Sequence, residues 1–67
     1  MSNYFARYPL AVLDQKLRYY NQCLDELARK IRLEKDRIIL RELQIAQKDV
    51  QSTIDELTQA IKNKVLS

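Results

Sequence analysis

A chain of 67 residues with no glycine, no histidine, one cysteine and one proline has room for one domain. It holds neither an internal disulfide nor the ligands of an ordinary structural zinc site, and it lacks both the glycines of phosphate-cradling loops and the commonest general base. The net charge of +3 is modest. The 46% hydrophobic and 31% charged composition, rich in Leu, Ile, Gln, Lys, Arg and Glu, reads as an all-α chain with enough apolar surface to stay ordered.

Residues 1–8 carry Tyr4, Phe5 and Tyr8 without a helical period and read as a short aromatic arm. Pro9 suits the first helical position, where its missing N–H is no loss. From there Leu10, Leu13, Leu17, Tyr20, Leu24, Leu27 and Ile31 follow in steps of three and four. That spacing is the seam of a coiled coil or bundle. Carried onward, the same seam meets Glu34, Ile38, Arg41 and Ile45 and loses its apolar character. A second stripe begins instead at Ile39 and runs through Leu43, Ala46, Val50, Ile54, Leu57, Ile61 and Val65. Its steps repeat over eleven residues, as from Leu43 to Ile54 to Val65, a period close to that of a straight helix.

The phase therefore slips within 32–37, and two readings compete. In one, the chain turns there, Asp36 caps the second helix, and the stripes face each other. In the other, one helix runs through. The stretch Leu33-Glu34-Lys35-Asp36 has neither Gly nor Asn and is poor turn chemistry, which favours continuity. Against that, a helix of roughly 57 residues would be about 85 Å long, more than a monomer could hold. The balance favours an all-α, two-helix antiparallel hairpin with helices near 9–33 and 37–65. It is one domain over 1–67 and completes a bundle with a partner chain or a second copy. Thr53 and Glu56 match a capping box, but Val50, Ile54 and Leu57 stay in phase across it, so the second helix is expected to continue.

Each helix also has apolar residues away from its stripe. Val12, Tyr19 and Cys23 project roughly opposite the first seam, and Ile38 and Ile45 project away from the second. The spacing of seven in Val12–Tyr19 and Ile38–Ile45 tilts the reading toward a partner interface, although scattered exposed apolar residues are normal. Arg29, Lys30, Arg32, Arg37 and Arg41 form a basic cluster that could touch anions. The chain lacks a recognition-helix signature, so nucleic acid is not the expected partner. Cys23 reads as a small packed hydrophobe. The neighbouring carboxylates Asp25-Glu26 and Asp55-Glu56 diverge by about 100° on a helix and do not share a site. No catalytic residue, metal ligand or cofactor site is expected. No stretch approaches the ~20 apolar residues of a membrane span, and the first residues lack a signal-peptide apolar core. A cytoplasmic chain with a reduced thiol is the expectation.

Leu17, Leu24 and Leu27 in the first helix, with Gln44, Ala46, Lys48, Val50, Ile54, Leu57 and Ile61 in the second, give the chain a resemblance. It resembles the small E-type co-chaperones of bacterial type III secretion. The resemblance implies a helical hairpin that packs against a helical-repeat chaperone. Together they would keep the needle subunit soluble in the cytoplasm. Two alternatives stand beside it. One is a homodimeric four-helix bundle acting as a small regulator or nucleic-acid-associated protein, and the other is a long coiled-coil scaffold.

Overall fold

The computed structural model describes residues 4–66. A 3-10 turn over Tyr4–Arg7 precedes two long helices, α1 (Leu10–Leu33) and α2 (Arg37–Leu66). The helices pack against each other as an antiparallel hairpin, and the N-terminal arm packs on α2. The Cα framework measures 46 × 22 × 14 Å. One unbroken helix would be nearly twice as long as that, so the scaffold built on continuity through 32–37 is excluded.

Helix α1 starts without a side-chain cap. Pro9 is extended (φ −66°, ψ 157°) and stands at the N-cap, one residue outside the helical position expected for it. Its carbonyl accepts from the N–H groups of Val12 (3.0 Å) and Leu13 (3.1 Å). Helix formers without a glycine then carry α1 to Leu33.

The turn is made by two carboxylates. Glu34 leaves the helix in an extended conformation (φ −80°, ψ 130°), while its N–H still donates to the Lys30 carbonyl at 2.9 Å. Its Oε1 accepts from the backbone N–H groups of Lys35 and Asp36, both at 3.1 Å. Asp36 then caps α2, its Oδ1 accepting from the N–H of Ile38 at 2.8 Å and of Ile39 at 3.3 Å. No described residue has a positive φ. The chain reverses through extended backbone, so the glycine whose absence argued against a turn is not needed. Farther along α2, the Thr53 hydroxyl donates to the Asp49 carbonyl at 3.1 Å. That is the bonding of a threonine inside a helix, and the capping box forms no break.

The core is small and lies at the open end of the hairpin. Leu13 and Leu57 have no exposed surface, and Phe5 and Ala60 are buried with them. Tyr8, Leu17, Tyr20 and Ile61 pack around this cluster half-buried, and Ile54 is buried nearby. The arm is thus part of the core rather than a tail. Tyr4 meets Phe5 edge-on with ring centroids 5.2 Å apart. Arg7 lies 4.9 Å from the centre of the Tyr4 ring, and Lys16 lies 5.3 Å from that of Tyr8. Toward the turn, Leu24, Leu27, Ile31, Leu43, Ala46 and Val50 are only half-buried.

Three residues expected inside are exposed: Leu10, Ile39 and Val65. On α2 the inward face centres on Leu40, Leu43, Gln47, Val50, Ile54, Leu57, Ile61 and Lys64, with Ala46, Thr53 and Ala60 beside them. Its steps of three and four make a heptad seam rather than an eleven-residue repeat. Ile39 and Val65 each stand one position, about 100°, off that seam. Leu10 is in phase but begins its helix, and Phe5 of the arm fills that end of the core instead.

Candidate interaction surface

A single layer of two helices gives each helix one neighbour. Each seam is therefore covered from one side only, and apolar side chains remain at the surface: Tyr19, Leu33, Ile38, Ile39 and Ile45 among them.

Two of the three α1 residues singled out from the sequence line one depression, and Cys23 lies outside it. Val12 and Tyr19, with Gln15, Lys16 and Tyr20, line an open depression of about 390 Å³. Tyr19 stands edge-on to Tyr20, with ring centroids 5.3 Å apart and planes at 75°. Cys23 lies one turn on from Tyr19. Its side chain, by hydrogen bonding and by the thiolate's charge, with desolvation a smaller cause, pushes the Tyr19 hydroxyl above its ordinary pKa of 10.0. Val12 and Cys23 are half-buried, so they flank the seam rather than oppose it. Cys23 follows Tyr20 by three residues and precedes Leu27 by four, which puts it beside both on the helix. On α2, Ile38 and Ile45 are both exposed. They share one side of the helix about 10 Å apart, from seven residues at 1.5 Å each. The α1 depression does not include them.

A second groove was not foreseen. Leu24 of α1 with Gln44, Gln47, Lys48, Gln51, Ser52 and Asp55 of α2 line an open trough of about 470 Å³. Gln51 Nε2 donates to Asp55 Oδ1 at 3.1 Å across its wall. The signal was in the sequence as Gln44, Gln47 and Gln51 at helical spacing, but counting apolar positions alone passes over it.

The candidate anion contacts Arg29, Lys30, Arg32, Arg37 and Arg41 are all exposed, together with Lys35. They gather around the turn. At the other end of α1, Arg18 pairs with Asp14 at 3.3 Å. Among the described residues, no group of three or more His, Cys, Asp or Glu is placed to hold a metal ion. No described helix is long and apolar enough to cross a membrane.

Comparison with protein-family models, with curated proteins and with solved structures finds no match to this chain.

Proposed function

We propose that the hairpin is a non-enzymatic protein–protein interaction module that completes a helical bundle with another chain. The observation that carries this reading is the uneven core. The open end is closed by Phe5, Leu13, Leu57 and Ala60, whereas the seam from Leu24 to Ile31 and from Leu40 to Val50 stays half-buried. An added helix along that half would bury what the hairpin leaves wet. Tyr19, near Val12 and Cys23 on the flank of the closed half, offers a further anchor for a partner that extends that far, because a tyrosine supplies area and a polar tip at an interface. Ile38 and Ile45 offer a second contact on α2.

In its specific form, the partner is a helical-repeat chaperone, and the pair keeps a type III secretion needle subunit soluble. The likeness in Leu17, Leu24, Leu27 and the α2 stripe supports this form, together with a hairpin whose length and build suit such a role. The work is then done by burial alone, in a cytoplasmic complex that needs no cofactor.

The test is light scattering and thermal melting of the purified chain, alone and co-expressed with the chaperone and needle subunit of its own cell. The expected result is a weakly stable or aggregating chain that becomes a monodisperse three-part complex with its partners. A monodisperse, cooperatively melting homodimer indifferent to those partners would overturn the co-chaperone reading. It would leave the homodimeric four-helix bundle in its place.

A further inference from the structure

Between Arg29 and Arg41 the chain carries six cations and two carboxylates. The rest of the molecule is therefore slightly acidic, and all of the net charge of +3 resides at the turn end. Both carboxylates are tied up by backbone. Glu34 accepts from Lys35 and Asp36, and Asp36 accepts from Ile38 and Ile39. All six cations are exposed. In their midst, at the very tip, stand Leu33 and Ile38, each 73% exposed.

Helix stability accounts for half of this pattern. Lys30 and Arg32 in the last turn of α1 complement its dipole. Arg37 opposes the dipole of α2, whose first turn has no acidic residue. Two large aliphatic side chains in water at the tip also do nothing for the fold.

We propose that the turn end of the hairpin docks end-on onto an anionic lipid surface. Leu33 and Ile38 enter the boundary between headgroups and acyl chains. Arg29 and Arg41 lie four residues behind Leu33 and Arg37, about 6 Å back along their helices. That matches the ~5–10 Å to which interfacial apolar groups are buried. The cations thus meet the lipid phosphates while their aliphatic stems follow the apolar pair inward. Nucleic-acid phosphates would engage the same cations but leave Leu33 and Ile38 in water, so the apolar tip selects lipid. The inference does not rest on the proposed function, although Ile38 belongs to both surfaces and serves one of them at a time.

The full chain is sedimented with vesicles of phosphatidylcholine alone and of phosphatidylcholine with phosphatidylserine at three to one. Binding is expected to the second and not to the first, falling as salt is raised. Arg32→Gln with Arg37→Gln lowers it about 25-fold, from roughly fivefold per cation near an anionic leaflet. Leu33→Ser with Ile38→Ser lowers it more than tenfold while helical circular dichroism is unchanged, since both side chains are already in water. Lys62→Gln, away from the tip, leaves it unchanged. Equal binding to both vesicles, or none to either, overturns the proposal. So does serine-lipid binding that survives loss of both apolar side chains. Duplex DNA binding that survives the same loss, without vesicle binding, assigns the cations to nucleic acid and also overturns it.

Discussion

Phe5→Ala tests the claim that the arm belongs to the core. Phe5 is 8% exposed and shares its cluster with Leu13, Leu57 and Ala60. Truncating a buried phenylalanine costs about 3–5 kcal/mol. The site lies at the rim of a small core and can partly collapse, so the lower end, about 3 kcal/mol, applies here. A domain of this size has roughly 3–10 kcal/mol of stability at the usual per-residue value, and the variant would therefore lose a large share of it. With a urea slope of about 1 kcal/mol per M, typical of small proteins, the midpoint falls by roughly 3 M, or the chain begins to unfold without denaturant. Urea titration followed by circular dichroism reads this directly. Tyr4→Ala is the control. Tyr4 is 58% exposed and touches Phe5 edge-on, so its loss is expected to cost about 1 kcal/mol. A Phe5→Ala midpoint within the range of an exposed substitution, about 0.5 kcal/mol, would show that the arm is a tail after all.

Asp36→Ala removes the cap of α2 and is expected to destabilise by about 0.5–2 kcal/mol, measured by the same titration; an unchanged midpoint would contradict the cap. Lys35→Gly supplies the glycine that the turn lacks, yet it should destabilise by about 0.4–1 kcal/mol. No described residue there has a positive φ, so glycine adds only unfolded-state entropy. Tyr19 should ionise above pH 10, because its hydrogen bond with Cys23 favours the protonated form. The stability linked to it is present below the unfolded pKa and is lost as pH rises through the higher folded one. Cys23→Ala should bring the phenolate absorbance change at Tyr19 back toward the ordinary value, and a titration unmoved by that substitution would refute the bond.

The two helices were legible because α1 repeats its leucines in steps of three and four and because the phase slips between Ile31 and Ile39. The turn was harder to read. Its chemistry lies in Glu34 and Asp36 accepting from four backbone N–H groups, and a search for glycine or asparagine does not detect that. The α2 seam was misread by one position at its start. Ile39 and Leu40 are equally apolar, and only a facing helix decides which turns inward. Gln47 and Lys64 occupy seam positions, which broke the apolar count and made the eleven-residue pattern look better than the heptad. Phe5 was unreadable for another reason: its partners Leu57 and Ala60 lie more than fifty residues away, and no local period announces such a contact. At the candidate surface, Tyr19 stood out as a lone aromatic on the back of α1. Its place beside Cys23 follows from their spacing of four residues, one helical turn.

The central claim is that one half of the hairpin is finished and the other awaits a neighbour. Amide hydrogen exchange resolved along the chain measures this most directly, at a concentration where light scattering shows a monomer. Local opening free energies follow burial and packing. The amides of 13–20 and 54–61, around the closed core, should be the most protected. Those of 27–33 and 38–46 should exchange much faster, by the ratio expected of frayed helix ends. Uniform protection along both helices of the monomer would mean that the turn half is complete by itself, and it would contradict the account.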